Sequence, residues 1–487
     1  MTKLSFCKVS FIMLLLGLAT SMSAQTFITL VQFDNTLGEQ PATPLVQGAD
    51  GNLYGTASLA GTGGGGTFFQ LLPGGSVNIL YDFCSQGSGC SDGFGPIGGL
   101  LPSLDGNFYG ITWSGGRYSA GTIFQITPQG VLTSVYSFCA QINCADGERP
   151  TQLAQGNDGN FYGTTNTGGR YDHGTFFRMT PDGTLTTVTS FKSGANNPNA
   201  GLMQASDGNF YGTASGIAGT YGAIVRITPA GKLSTVHAFC IAGYPCADGS
   251  DPFGTVVQGN DGNLYGTTAF GGSSNSGTAF KIVPGGALTQ IYNFCPQNIC
   301  TNGAGPINGL LLASDGNFYG VTQYGGTGTN PDCNFGCGGV YKLTPAGSLT
   351  MLHDFCVKGG TFCSDGLNPL TPIPPLTQAT TGVIVSTTQW GGSKCGDCGT
   401  AFSLSAGLRP FVAAVPNSGS PGATISIRGN KLTGSNGVAF AGVSATFTVI
   451  SDNEIQAQVP AGTTKGIIKV TTPNGVLTSN IQFEVLK

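Results

Sequence analysis

The chain has 487 residues, a formal net charge of −4 and only 9% charged residues. This length fits two or three domains, the low charge argues against long solvent-exposed helices, and the negative balance argues against a nucleic-acid partner. The 81 glycines show no period of three, which excludes collagen, and 40% hydrophobic residues are enough for packed cores. The composition therefore indicates a turn-rich β-protein.

The N-terminus predicts a secretory signal peptide. Lys3 and Lys8 give a positive start, and residues 9–19 form an apolar run about half as long as a membrane span requires. Small residues follow, and we expect cleavage after Ala24, so that residues 1–24 are removed. A buried N-terminal helix or strand is the alternative. Since no later run of eighteen apolar residues occurs, we predict no membrane span and expect a secreted protein, either extracellular, cell-surface or periplasmic.

A repeat dominates the next 380 or so residues. Each copy predicts four short strands, a to d. Strand a follows a proline, an Asp-Gly-Asn turn leads to b, a Gly-Gly loop leads to c, and a Pro-x-Gly turn leads to d. Four-stranded units at this spacing are typical of β-propeller blades. The motif Asp-Gly-Asn-(Leu/Phe)-Tyr-Gly begins at Asp50, Asp105, Asp158, Asp207, Asp261 and Asp315, with a decayed seventh copy at Thr381.

The order of the strands predicts how the repeat closes. The mature chain begins with a d-type strand at 27–33, and the repeat ends with a c-type strand at 399–404. In a ring, the first strand completes the last blade, and no sheet edge stays free. We therefore predict an all-β fold: a seven-bladed β-propeller over residues 25–407, closed by an N-terminal strand. An open solenoid is the alternative.

Residues 26–407 resemble the GloVer tandem-repeat family of secreted bacterial proteins. The motifs that carry the resemblance are D-G-N-x-Y-G-T-T, G-G, G-T-x-F and L-T-x-x-Y-x-F. The family has no assigned activity, so the resemblance implies the repeat and secretion but no reaction.

The repeat stops at Arg409. Short alternating segments, such as 424–429 and 467–475, predict a small β-sandwich. Residues 409–487 resemble an IPT/TIG domain, an immunoglobulin-like module that serves as a spacer or interaction module in secreted bacterial proteins. This segment contains no cysteine, so its apolar core must stabilise it alone.

The cysteines fall into close pairs once Cys7 is removed with the signal peptide. Five d–a loops contain two cysteines, two contain none, and no d–a loop contains one, which is the pattern that a bridge within each loop predicts. Zinc held by the thiols of the last two b–c loops, or crossed disulfides, are the alternatives. The predicted bridges are Cys84–Cys90, Cys139–Cys144, Cys240–Cys246, Cys295–Cys300, Cys333–Cys337, Cys356–Cys363 and Cys395–Cys398.

The sequence contains no motif for catalysis. His237 and His353 occupy a strand-d position that is tyrosine in other copies, which favours packing, and His173 lies in a b–c loop. Inner strands a are almost free of acids, and Glu148 and Asp251 are isolated. We predict no enzyme, metal or cofactor. Most of the repeated aspartates lie in Asp-Gly turns, where calcium binding is the alternative to turn formation; those in Cys-x-Asp-Gly are Asp92, Asp146, Asp248 and Asp365.

The propeller topology predicts two unlike faces. The b–c and d–a loops emerge together on what we call the loop face, and the tight Asp-Gly-Asn and Pro-x-Gly turns form the turn face. Aromatic residues in these loops can stack on the apolar C–H faces of sugar rings, although packing against the next blade is the alternative. The candidate ligand-binding residues are Trp113, Tyr118, Tyr171, Phe270, Tyr324 and Trp390.

These features predict a secreted, non-enzymatic binding or surface-associated protein. Its expected partner is an extracellular polysaccharide or a surface protein, rather than nucleic acid or membrane. Two alternatives stay open, namely a carbohydrate-active enzyme with carboxylates on its loops and a purely structural extracellular component.

Overall fold

The computed structural model describes most of the chain after the predicted signal peptide. Residues 1–24 and Cys395 lie outside the described residues. Within the described part, the only helical element is a single 3-10 turn at Ile142–Cys144, and no helix has the length and apolarity that a membrane span needs. The described residues are 25–41, 43–86, 89–192, 201–214, 221–284, 286–296, 300–328, 333, 335–357, 363–366, 376–392, 394 and 398–486.

The repeat forms seven four-stranded antiparallel sheets, each a blade with its strands in the order a, b, c, d. The N-terminal strand is β1 (Thr26–Gln32). Blades 1 to 3 contain β2 (Val46–Gln47), β3 (Leu53–Ala57), β4 (Thr67–Leu71), β5 (Val77–Asp82), β6 (Phe94–Pro102), β7 (Phe108–Ser114), β8 (Thr122–Ile126), β9 (Leu132–Ser137), β10 (Glu148–Gln155), β11 (Phe161–Thr167), β12 (Thr175–Met179) and β13 (Leu185–Ser190).

The next three blades repeat the same order. They contain β14 (Met203–Gln204), β15 (Phe210–Ala214), β16 (Ala223–Ile227), β17 (Leu233–Ala238), β18 (Val257–Gln258), β19 (Leu264–Thr268), β20 (Thr278–Ile282), β21 (Leu288–Asn293), β22 (Leu311–Leu312), β23 (Phe318–Thr322), β24 (Gly339–Leu343) and β25 (Leu349–Asp354). Blade 7 has its first three strands at β26 (Thr377–Gln378), β27 (Ile384–Thr388) and β28 (Thr400–Ser405).

The N-terminal strand supplies the fourth strand of blade 7. β1 pairs antiparallel with β28, from Thr26 opposite Ser405 to Gln32 opposite Thr400. The sheet order is therefore β1-β28-β27-β26, as the strand count in the sequence predicts. This pairing gives the last blade the same four strands as the other six.

Apolar cores lie between consecutive blades. The strand-b tyrosine of one blade packs on the strand-b phenylalanine of the next, as in Tyr265 and Phe318, whose rings are 4.2 Å apart. A corresponding core joins blade 7 to blade 1, where Phe33 and Phe69 lie 5.2 Å apart and Val385 contributes from β27. Because both sides of each sheet are covered, the middle strands b and c are buried almost throughout.

The repeated Asp-Gly-Asn motif is a locked turn. In the first copy the carboxylate of Asp50 accepts hydrogen bonds from the backbone and side-chain nitrogens of Asn52 and from the Tyr54 hydroxyl, the last at 2.8 Å. Gly51 has a φ of +83°, a conformation that a side chain disfavours. The motif therefore records one tight a–b turn together with the tyrosine that secures it.

Glutamines on strand a tie each of several blades to the preceding one. Their side-chain oxygens accept a hydrogen bond from a backbone N–H beside the previous a–b turn. One of these bonds, from Thr380 N–H to Gln47 at 2.8 Å, joins blade 7 to blade 1. The sequence analysis did not identify these residues; they are Gln47, Gln204, Gln258 and Gln378.

The C-terminal segment folds as an immunoglobulin-like sandwich around its own apolar core. Its two main sheets have the orders β29-β31-β35-β34 and β33-β32-β36-β37, and β30 pairs with β38. The strands are β29 (Ala413–Val415), β30 (Ser418–Gly419), β31 (Thr424–Arg428), β32 (Gly437–Phe440), β33 (Val443–Ser444), β34 (Phe447–Val449), β35 (Glu454–Gln458), β36 (Ile468–Thr472), β37 (Gly475–Thr478) and β38 (Glu484–Val485).

This sandwich sits on the turn face of the propeller. Arg428 is buried there and donates to the carbonyl of Gln47 at 2.6 Å and to that of Ser103 at 3.4 Å, in blades 1 and 2. Asn453 donates to the carbonyl of Asp50, and Asn480 donates to that of Leu312 in blade 6. The carbonyls of several strands a are therefore covered, and a cavity of about 490 Å³ is left beside blades 4 and 5.

Asp34 connects the end of the N-terminal strand to blade 7. Its carboxylate accepts backbone hydrogen bonds from Thr36 and Leu37, each 3.0 Å long, and its other oxygen lies 3.1 Å from Nζ of Lys394. Burial by itself would raise the pKa of Asp34, but the hydrogen bonds from Thr36, Leu37 and Lys394 outweigh it and lower the pKa to about 2. The ionised carboxylate is therefore favoured in the folded state.

We predict that Asp34→Asn lowers the melting temperature at pH 7, and that the difference from wild type narrows as the pH falls. The folded pKa lies below the unfolded value of about 4, so the contribution is present above that pH and is lost as the pH falls toward 2. Circular dichroism melts from pH 7 to pH 2 measure this. Lys394→Met, which removes only the ion pair, should have a smaller effect, and a difference that stays constant down to pH 2 would contradict the account.

Candidate binding face

The loop face contains the longest irregular segments of the propeller. Because neighbouring strands in each blade are antiparallel, the b–c and d–a loops leave the same edge of every sheet. The opposite edges end in tight turns, and the C-terminal sandwich contacts that side. The loop face is therefore the side of the propeller on which varied side chains are displayed.

The six aromatic residues proposed from the sequence divide into two groups. Tyr118, Tyr171 and Phe270 are exposed, with 40% to 43% of their surface accessible. The other three are half-buried: Trp113, Tyr324 and Trp390. The indole of Trp390 packs against the apolar core between blades 6 and 7, which is the packing arrangement that the sequence analysis kept as an alternative.

In the part of the chain that the structure describes, the most exposed apolar side chains lie inside the disulfide loops, and the sequence analysis missed them. Tyr244 and Ile241 are each 79% exposed between Cys240 and Cys246. Likewise, Ile142 is 87% exposed and Phe335 is 78% exposed, each between the two cysteines of one bridge. The sequence signal for their exposure was a large apolar residue between two close cysteines. A closed loop that short has no interior in which to bury such a side chain.

Among the described residues six disulfides are present, and they join the pairs expected from the sequence. The seventh pair, Cys395–Cys398, stays a prediction because Cys395 lies outside the described residues. The Sγ atoms of Cys333, Cys337 and Cys363 lie within 4.8 Å of one another, but they belong to two bridges and so offer no thiolate to zinc. The bridges are Cys84–Cys90, Cys139–Cys144, Cys240–Cys246, Cys295–Cys300, Cys333–Cys337 and Cys356–Cys363.

The backbone of the five bridged d–a loops shares an unusual conformation. The first cysteine of each loop has a φ between +50° and +63°, a region that residues other than glycine rarely adopt. Each of these cysteines directly follows the buried phenylalanine that comes after strand d, so the chain turns sharply onto the loop face. The bridge and the hydrogen bonds beneath it hold this turn.

A buried or half-buried aspartate organises each of four of these loops from below. Asp146 is fully buried and accepts hydrogen bonds from the Tyr136 hydroxyl, at 2.7 Å, and from the backbone of Ala140. Burial, together with the bond to Asp146, raises the pKa of Tyr136. In two blades histidine replaces the tyrosine: Nε2 of His237 lies 3.0 Å from Asp248, and Nε2 of His353 lies 3.1 Å from Asp365.

These contacts explain the Cys-x-Asp-Gly motif as loop architecture. The carboxylate accepts hydrogen bonds from the protein itself, for example from the backbone N–H of Cys240 to Asp248 at 3.0 Å. The sequence analysis assigned the two histidines to a tyrosine position but did not predict their aspartate partners, which follow eleven and twelve residues later.

The two acids that the sequence analysis called isolated lie in different blades. Glu148 lies in β10 of blade 3 and accepts a hydrogen bond from the Thr167 hydroxyl at 3.4 Å. Asp251 precedes β18 of blade 5, and burial raises its pKa although Ser250 lowers it. Because they begin blades that are not neighbours, they do not form a pair of carboxylates at one position of the loop face.

We predict that removing one bridge loosens its own loop and leaves the blades folded. Cys240→Ala with Cys246→Ala should cost on the order of 2 kcal/mol, because closing so short a loop removes little entropy from the unfolded chain. Denaturant unfolding measures the loss, and hydrogen exchange should accelerate at 241–245 but not in β19 or β20. Non-reducing peptide mapping of the wild type provides a second check: a peptide joining Cys84 to Cys139 would refute the local pairing.

Solved structures include chains of similar fold. A fungal alcohol oxidase of the AA5 family, solved in complex with copper, is 13% identical with a TM-score of 0.52, and the match covers 95% of this chain and 99% of that one. At this identity the likeness shows the fold alone. The extracellular domain of a protein described as a hybrid two component system from B. thetaiotaomicron is 10% identical, with a TM-score of 0.46 and coverage of 94% and 54%.

Sequence profiles identify both parts of the chain, although no curated protein matches it. The Gloeobacter/Verrucomicrobia repeat matches residues 17–156, 149–402 and 241–446, and the IPT/TIG domain matches residues 411–485. The repeat matches cover most of the chain and span all seven blades. This chain therefore belongs to the Gloeobacter/Verrucomicrobia repeat family and ends in an IPT/TIG domain.

Proposed function

We propose that this chain is a secreted, non-enzymatic binding protein that holds an extracellular polysaccharide on its loop face. One observation carries the proposal. Every aromatic side chain that is exposed among the described residues lies on this face. These are Tyr118, Tyr171, Tyr221, Tyr244, Phe270 and Phe335.

The asymmetry between the two faces supports this choice of surface. The C-terminal sandwich contacts the turn face, where it covers carbonyls of blades 1, 2 and 6. The exposed large apolar residues of the turn face are aliphatic and few: Leu104, Val131 and Val283. A polymer therefore has a free, aromatic surface on the loop side.

Rigid aromatic contacts suit a polysaccharide. Tyrosine and phenylalanine offer large flat surfaces at a low cost in side-chain entropy, and tyrosine adds a hydroxyl for hydrogen bonding. One disulfide closes the short loop around Tyr244 and another closes the loop around Phe335. Because these loops are ordered before a ligand arrives, binding costs little conformational entropy. Sugar rings present apolar C–H faces to such side chains.

Multiple disulfides indicate an extracellular or secreted protein, because such bridges persist in oxidising compartments. The proposed route is the signal peptide, with cleavage after Ala24. The non-enzymatic part of the proposal is supported by the repeated aspartates, whose carboxylates accept hydrogen bonds from the turns and loops that contain them.

We predict that Tyr244→Ala with Phe335→Ala abolishes retention on insoluble polysaccharides and leaves the melting temperature within about one degree, because both rings are mostly exposed. Pull-down on a panel of insoluble glycans measures retention. Val131→Ala with Val283→Ala truncates two exposed apolar side chains on the turn face and serves as the control for that face.

Trp390→Ala gives a separate readout. Since its ring packs against the core of blades 6 and 7, we expect a lower melting temperature for this variant. Equal retention of the Tyr244 and Phe335 double variant and the wild type, or no retention of the wild type on any glycan, would refute the proposed function.

A further inference from the structure

Four exposed cations of the loop face are gathered on blades 2 and 3. Arg117 lies in the b–c loop of blade 2, and Arg149 lies in β10 at the entry to blade 3. Arg170 lies in the b–c loop of blade 3, and Lys192 follows its strand d. Elsewhere on the described loop face the one further lysine, Lys394, is paired with Asp34.

Each of these cations lies over an aromatic ring. The guanidinium carbon of Arg149 is 5.5 Å from the ring centroid of Trp113, and that of Arg117 is 5.6 Å from the centroid of Tyr118. The Tyr171 ring has two cations, with Arg170 at 5.5 Å and Lys192 at 5.4 Å. All four distances are within the range of cation–π attraction.

Backbone contacts join the two blades at this position. The N–H of Arg149 donates to the carbonyl of Ala120, in the b–c loop of blade 2, at 2.8 Å. The preceding residue, Glu148, pairs with Thr167 at the end of β11. This strand leads directly into the b–c loop that contains Arg170. We call the resulting surface the basic aromatic patch; it comprises Trp113, Arg117, Tyr118, Arg149, Arg170, Tyr171 and Lys192.

The cations of the patch are not paired with carboxylates of the described residues, since none of the four takes part in a salt bridge there. Three carboxylates lie nearby and contact the loops: Asp146 is buried, Asp172 accepts the backbone N–H of Gly168 at 3.0 Å, and Glu148 accepts the Thr167 hydroxyl at 3.4 Å. A local excess of cations therefore stands out on a chain whose net charge is −4.

An arginine that stacks on an aromatic ring keeps the N–H groups at the edge of its guanidinium available to an anion. The planar guanidinium can lie on a ring and still bind a carboxylate or a sulfate with two parallel hydrogen bonds. The same ligand would offer C–H faces to the exposed parts of Tyr118 and Tyr171. Single-stranded nucleic acid also combines anionic groups with flat faces that stack on aromatic rings, so it is tested below as the competing ligand.

We propose that the basic aromatic patch recognises an acidic polysaccharide, one whose sugars carry carboxylate or sulfate groups. This inference rests on the proposed function and names the ligand class for one part of the loop face. The arginines bind the acid groups, and the rings contact the sugars between them.

The test compares polygalacturonate with its methyl ester, which has the same backbone without the charge. The mature, disulfide-bonded protein should bind polygalacturonate at least tenfold more tightly than the ester, and binding should weaken as sodium chloride rises from 50 to 500 mM. Arg117→Gln, Arg149→Gln and Arg170→Gln combined should weaken binding at least tenfold without changing the melting temperature. Dextran sulfate in place of polygalacturonate tells sulfate from carboxylate recognition.

The matched control replaces three exposed cations elsewhere, Lys232→Gln, Lys431→Gln and Lys469→Gln, and should bind as the wild type does. Equal losses in the two triple variants would overturn the inference, since they would indicate general attraction of a polyanion. Binding of single-stranded DNA as tight as that of polygalacturonate would also overturn it. Equal binding of the ester and the acid would overturn the acidic class and leave the proposed function intact, whereas binding of no polymer would refute both.

Discussion

The pairing of β1 with β28 is the contact on which the rest of the molecule depends. It joins strands about 370 residues apart in the chain and gives blade 7 the same four strands as its neighbours. Thr380 bonded to Gln47, and Phe33 packed on Phe69, continue the same contact between the last blade and the first. Because this pairing is antiparallel like those within the other blades, blade 7 presents its b–c loop on the same face as they do.

The two faces differ because the repeated Asp-Gly-Asn turns all lie on one of them, the turn face. Asp50, Asn52 and Tyr54 show the pattern: a carboxylate holds its own turn and the tyrosine behind it, so the turn is tight and alike in each complete copy. The carbonyls beside these turns then accept hydrogen bonds from Arg428 and Asn453 of the C-terminal sandwich. The loops on the other face are longer, and there the bridges and the aspartates beneath them hold the backbone that displays the exposed apolar side chains.

Much of this architecture could be predicted from the sequence, because it is repeated. The Asp-Gly-Asn motif predicted the turns. The β1–β28 contact was predicted because the repeat begins with a d-type strand and ends with a c-type strand. The position of the C-terminal sandwich on the turn face could not be predicted. Arg428 binds backbone carbonyls there, and because every residue has a carbonyl, no sequence motif marks the contact. The candidate site was predicted in part: Tyr118, Tyr171 and Phe270 are exposed, whereas Trp390 packs against a core. Tyr244 and Phe335 were missed although the bridges around them were predicted, because apolar residues were expected to be buried.

The most direct test of this account removes β1 and then returns it. A chain lacking Thr26–Gln32 should expose the edge of β28, aggregate at concentrations where the intact chain stays dispersed, and lose protection from hydrogen exchange in β28. Adding a synthetic peptide of residues 26–32 should restore both solubility and protection. If the shortened chain stays dispersed with β28 as protected as before, the N-terminal strand does not close the seventh blade and the account is wrong.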